Sequence, residues 1–227
     1  MRDFQFLQEQ AYQYLRGKIL NDELEPEQVY SESQVARELN CSRTPVKDAL
    51  TRLSHAKYID IIPSRGFRLH QMTEEDLVST FQTRVAVESF CALSIMERRD
   101  RPDGQDALAH LHELLQKQEQ ASERSDLAAF LEADILFHRT IMLFFPNADF
   151  AELYELHAYR IEEPARHSLR EPDRCRDALE EHRAVVDAIE SADIGRCYLA
   201  VLHHNESTFE HSVRLLSTQA PRPEKVF

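Results

Sequence analysis

The chain is poor in the residues that interrupt helices or cross-link loops: of 227 residues only 4 are glycine and 4 are cysteine. So little glycine, with helical periodicity sustained over the C-terminal two-thirds, excludes a sheet-rich fold and predicts a mainly α one. Cys41, Cys91, Cys175 and Cys197 contain no Cys-x-x-Cys pair, which argues against a disulfide framework and a thiolate zinc site and predicts that most of them are buried free thiols. No apolar run approaches the roughly 20 residues of a membrane span. The N-terminal Met1-Arg-Asp-Phe-Gln-Phe lacks the apolar core of a signal peptide. A cytoplasmic protein with no membrane partner is therefore expected, and 42% hydrophobic residues suffice for a sizeable core.

The formal charge of −13 is unevenly spread. Residues 1–72 hold ten basic and ten acidic side chains, leaving 17 basic and 30 acidic in 73–227. A nucleic-acid contact is thus confined to the N-terminal part, because the acidic remainder repels phosphates. Within that part, residues 37–68 carry seven Lys or Arg against three Asp or Glu.

What is present there is a helix-turn-helix. Ser31 is placed to cap a first helix, with Gln34 as its reciprocal partner and Val35, Ala36 and Leu39 on the buried side. Asn40-Cys41 forms the turn. Ser42 is placed to cap the second helix, Pro45 lies in its first turn, and Val46, Ala49, Leu50 and Leu53 face inward. Ser42, Arg43, Thr44 and Lys47 are left pointing outward at the end of a recognition helix that touches base edges and phosphates. Tyr58 to Ile62, the turn Pro63-Ser-Arg-Gly66 and Phe67 to His70 make a hairpin, hence a winged helix-turn-helix with Arg65 and Gly66 at its tip. There glycine permits close backbone approach to a phosphate, and arginine reaches the minor groove. A further helix from about Phe6 to Leu20 packs behind it.

Thr73, followed by Glu74, Glu75 and Asp76, opens a second domain. Six helical segments follow, at 74–100, 104–122, 126–144, 148–170, 173–191 and 194–217, with turns that include Glu171-Pro172 and Ala192-Asp193. They predict an antiparallel six-helix bundle. Pro164 is expected to kink or split the fourth segment. The domains are therefore read as 1–72, 73–217 and a tail of 218–227.

Asp134 and His138 lie at i and i+4, on one helical face. His182 lies eleven residues before Asp193 and His204 eleven after it. In a helical hairpin both then sit about 16 Å from the turn and converge. Three histidines and an aspartate from three helices suit a divalent transition metal, with zinc first and nickel or manganese as alternatives. His203 is the rival of His204; the 100° helical step forbids that they share a face, and the mirror spacing selects His204.

With these residues in view, the chain resembles the GntR family of bacterial transcription regulators, in the FadR-type branch with an all-helical C-terminal ligand domain (FCD). The family pattern Ser-Arg-Thr-Pro-Val-Arg, Ala-Leu-x-x-Leu and an Arg-Gly wing is matched by Ser42 to Lys47, Ala49 to Leu53 and Arg65-Gly66. Lys47 replaces the usual arginine, keeping a phosphate contact but losing a bidentate fork. The family's metal ligands correspond to Asp134, His138, His182 and His204; Asn205 stands where leucine is common, a polar group beside the site. The family pair Arg-x-x-x-Glu is matched by Arg84 and Glu88, implying that Arg84 helps hold an effector carboxylate.

The resemblance implies a homodimeric repressor that binds two-fold operator DNA and answers to a small organic acid at the metal. Two alternatives differ in class: a metalloenzyme with a DNA-binding appendage, which needs a general base beside an open metal position, and a constitutive DNA binder whose metal is structural. A site closed by four protein ligands would favour the latter.

Overall fold

The computed structural model describes residues 2–171 and 173–219. It divides into two compact units, one of residues 1–72 with Glu155–Tyr159, the other of Thr73–Tyr154 with the chain from Arg160 onward.

The first unit is built from α1 (Arg2–Leu20), α2 (Glu32–Glu38), α3 (Arg43–His55), β1 (Ile59–Ile62) and β2 (Gly66–Leu69). Ala11, Leu15 and Ile19 of α1 pack on Val46, Ala49, Leu50 and Leu53 of α3, all buried. The helix-turn-helix bend rests on Asn40, which takes the left-handed conformation at φ 49°. Cys41 N–H then donates to Ala36 O and Asn40 N–H to Arg37 O, closing α2 as a Schellman motif.

Both expected caps differ in detail. Ser31 accepts from Ser33 N–H, but Gln34 does not complete a reciprocal box; its amide donates to Glu38 Oε1 at 3.0 Å. Ser42 occupies the N-cap of α3 without a side-chain hydrogen bond. Pro45, at the third helical position, lacks one of the two N–H groups that a serine cap can bind, which leaves only that of Thr44.

β1 and β2 pair antiparallel, Ile59 opposite Leu69 and Ile62 opposite Gly66. Phe67 exchanges two backbone hydrogen bonds with Tyr30, at 2.7 and 3.0 Å, so a third segment is stitched to the wing. Gly66 has φ 131°, and a Cβ there would lie 1.9 Å from the Tyr30 carbonyl oxygen. The close approach that requires glycine is therefore to Tyr30 inside the protein.

The second unit comprises α4 (Glu74–Glu97), α5 (Pro102–Glu123), α6 (Leu127–Met142), α7 (Ala148–Ser168) apart from Glu155–Tyr159, α8 (Arg174–Glu190) and α9 (Ile194–Gln219). The fold is thus mainly α, a winged helix-turn-helix plus a helical domain. Thr73 and Asp76 form a complete capping box on α4, while Asp126 and Asn147 cap α6 and α7. Gly104 is obligatory near the start of α5, where a Cβ would meet Arg98 O at 2.1 Å. Ile95, Leu111, Leu114, Phe130, Phe137, Ile141, Val186 and Ile189 form the core. Pro164 does not split its helix, since α7 runs unbroken through it. Pro172 and residues 220–227, which include most of the expected tail, lie outside the described residues.

Candidate functional site

On the first unit, Ser42, Arg43, Thr44 and Lys47 are all exposed at the start of α3, and Arg65 is exposed at the hairpin turn. Gly66 is half-buried against Tyr30. The Arg43 side chain is 61% exposed and its guanidinium donates to Glu32 Oε2 at 3.1 Å. Glu32 was not singled out from sequence; it sits in the first turn of α2, across the bend from Arg43.

The second site lies inside the helical unit. α6 contributes Asp134 and His138, α8 His182 and α9 His204, all buried. The nitrogen atoms that the three histidines offer lie within 4.8 Å of one another, and Asp134 Oδ1 is 3.7 Å from His182 Nε2. His203 is exposed. The eleven-residue mirror about Asp193 therefore selects the histidine that reaches the cluster.

Each ring is held from behind. His182 Nδ1 is 2.8 Å from Gln118 Oε1, and His204 Nδ1 is 2.8 Å from Glu181 Oε2. Because both partners are acceptors, the imidazoles donate from Nδ1 and carry their lone pairs on Nε2. Those two Nε2 atoms are buried and have no hydrogen-bond partner among the described residues. Such orphaned acceptors are costly unless something fills the space between them. His138 differs: its Nδ1 is 3.1 Å from Arg84 Nη2 and 3.4 Å from Glu88 Oε1.

Burial lowers the pKa of all three histidines, that of His204 to about 4, and nearby cations push the same way. The rings are consequently neutral near pH 7, the form that ligates metals. Burial alone would raise the carboxyl of Glu181, but hydrogen bonds from His204 and Ser207 and the charge of Arg174 hold it down at about 2. Asp134 is raised by burial.

Arg84 and Glu88 form a buried i,i+4 ion pair at 2.8 Å. Asn205 Nδ2 donates to Glu88 Oε2 at 3.1 Å and to Val201 O at 3.0 Å. Arg84 and Asn205 also line a small cavity with Thr80, Phe81, Thr208 and Phe209. Arg174 grips Glu181 with two bonds of 3.0 and 3.1 Å. Glu88 and Glu181, the glutamates that border the histidine cluster, are both tied into this network.

The chain matches the FCD domain family over residues 79–207 and the bacterial regulatory proteins of the gntR family over residues 7–69. It is 30% identical over 132 residues, 58% of this chain and 77% of the relative, to an HTH-type transcriptional regulator in the TAR-I ttuE-ttuC' intergenic region of Agrobacterium vitis. Its fold is similar to that of McbR from E. coli, with TM-score 0.69, 22% identity and coverage of 95% and 99% of the two chains. It is also similar to a Zn2+-bound FCD domain of a transcriptional regulator, with TM-score 0.52, 21% identity and coverage of 65% and 99%.

Proposed function

The chain belongs to the GntR family of transcription regulators, in the branch with an FCD domain, and from that premise we propose that it is a metal-dependent repressor released by a small carboxylate. Family and relatives are DNA-binding regulators and not enzymes. In this reading residues 1–72 contact operator DNA and 73–217 bind the effector and pair two copies. A two-fold homodimer in the cytoplasm then sets two recognition helices on two half-sites.

On the DNA, Arg43 donates to guanine O6 and N7, while Ser42, Thr44, Lys47 and Arg65 serve phosphates or the minor groove. Gly66 acts through the shape of the wing.

The observation that carries the metal reading is the pair of buried, partnerless Nε2 atoms of His182 and His204, with Asp134 beside them. Asp134, His138, His182 and His204 would hold the ion, and this nitrogen-rich set suits zinc, with nickel or manganese as alternatives. The bound ion supplies a Lewis-acid position for a carboxylate oxygen. The surrounding charges favour that use: Asp134, Glu88 and Glu181 exceed Arg84 and Arg174 by one negative charge, so a divalent cation leaves one positive charge for a monoanion. Arg84, and Asn205 through Glu88, shape the place where that anion lies.

Elemental analysis tests the metal, with roughly one divalent ion per chain expected. The His138→Ala, His182→Ala double variant should lose it; retained metal rejects the assignment. A thermal-shift screen of small carboxylates with and without chelator, followed by operator gel shifts, tests the effector. A stabilising ligand that leaves operator affinity unchanged would reduce the protein to a constitutive DNA binder.

A further inference from the structure

Arg43 opens α3, where its charge meets the positive end of the helix dipole. α3 has no acidic residue in its own first turn. The compensating carboxylate comes from the other helix of the pair: Glu32 Oε2 accepts from Arg43 Nη2 at 3.1 Å across the helix-turn-helix bend. Glu32 is the better enclosed of the two, with 20% of its side chain exposed against 61% for Arg43.

The backbone that carries Glu32 is held on both sides. Two residues before it, Tyr30 exchanges two backbone hydrogen bonds with Phe67 of β2, and at the far end of α2 the N–H groups of Asn40 and Cys41 close the helix onto Arg37 O and Ala36 O. α2 therefore presents a carboxylate of fixed position to a long, wet arginine. A guanidinium carries five N–H donors, and guanine O6 and N7 need two of them. A contact to Glu32 through Nη2 thus leaves enough donors for a base.

We propose that Glu32 is a positioning residue for base reading: it holds the Arg43 guanidinium through Nη2 so that the remaining donors face guanine O6 and N7, and its negative charge keeps Arg43 from settling on a phosphate. This deepens the reading of Arg43 as the base contact and rests on it. In the free protein the pair is loose, but DNA that covers it excludes water and lowers the local dielectric, which tightens it. The carboxylate opposes DNA binding in general and favours one sequence.

Those two effects have opposite signs, which separates positioning from a plain charge effect or a loss of fold. The specific probe is a duplex selected by the wild-type protein from a random-sequence pool, the non-specific probe is a scrambled duplex of the same composition, and both are titrated by fluorescence anisotropy at one salt concentration. Glu32→Ala should bind the scrambled duplex more tightly, by up to about 5-fold, the scale of one exposed charge pair. Its discrimination between the two duplexes should fall at least about 5-fold, the lower end of what a bidentate arginine–guanine pair contributes. In an Arg43→Ala background the same change should leave discrimination where Arg43→Ala alone puts it, because the role acts through Arg43. Equal gains or equal losses on the two duplexes overturn the proposal, as do losses of discrimination that add in the double variant. If Arg43→Ala removes discrimination and Glu32→Ala does not, only the role of Glu32 falls; if Arg43→Ala leaves discrimination intact, the base-contact reading falls with it.

Discussion

The start of α3 and the interior of the helical unit both hold arginines beside glutamates, yet the two settings use them in opposite ways. Arg43 and Glu32 meet at 3.1 Å with the arginine 61% exposed; Arg84 and Glu88 meet at 2.8 Å with 6% and 2% exposed. An exposed pair is worth about 0–1 kcal/mol, whereas removing one partner of a buried pair costs about 3–5 kcal/mol. Water, salt or a phosphate can therefore take Arg43 from its partner at little cost. Arg84 can leave only if another partner replaces what it gives up. The proposed function fits that contrast: a DNA-contacting surface with its charges wet, and an effector site with its charges dry.

The sharpest way to break this comparison is to delete the acid in each pair. Glu88→Ala should lose about 3–5 kcal/mol of stability in urea unfolding, because it strands Arg84 in the interior; Glu32→Ala should lose no more than about 1 kcal/mol. Equal losses would refute the contrast. Next in size, Gly66→Ala should cost up to about 3 kcal/mol in the first unit, since the new methyl group collides with the Tyr30 carbonyl, with a matching drop in its unfolding midpoint. Arg43→Ala should weaken operator binding by about 1–3 kcal/mol and reduce discrimination against random DNA in gel-shift titrations. Inside the helical unit, Gln118→Ala should weaken zinc binding about 10- to 100-fold in chelator competition, because His182 loses the partner that orients it. Smallest of all, Lys47→Ala should lower the slope of log affinity against log salt by about 1 without changing sequence preference.

Features resting on local spacing were legible in the sequence. The recognition helix shows in Val46, Ala49, Leu50 and Leu53, the hairpin in Pro63 to Gly66, and the meeting of His182 with His204 in their equal distances from Asp193, because helical rise converts spacing into position. The outer partners of the histidines were not legible. Gln118 and His182 are separated by 64 residues, and Asn205 and Glu88 by 117. Packing of helices brings them together, with no periodicity in between to announce it. Local rules placed Ser31 and Ser42 correctly at their N-caps but not the bonds around them, since a cap depends on which donors its helix offers. Pro45 removes one of the two donors open to Ser42, and the Gln34 amide bonds Glu38 without completing the box with Ser31.

The stitch between Tyr30 and Phe67 has a consequence for how DNA is met. Because both of its backbone bonds form within the protein alone, the base of the wing is anchored before any phosphate arrives. Ordering a free segment costs about 1–2 kcal/mol per residue in backbone entropy. A wing already set in place spares the complex that loss at its base, so encounters with DNA need not wait for a hairpin to form.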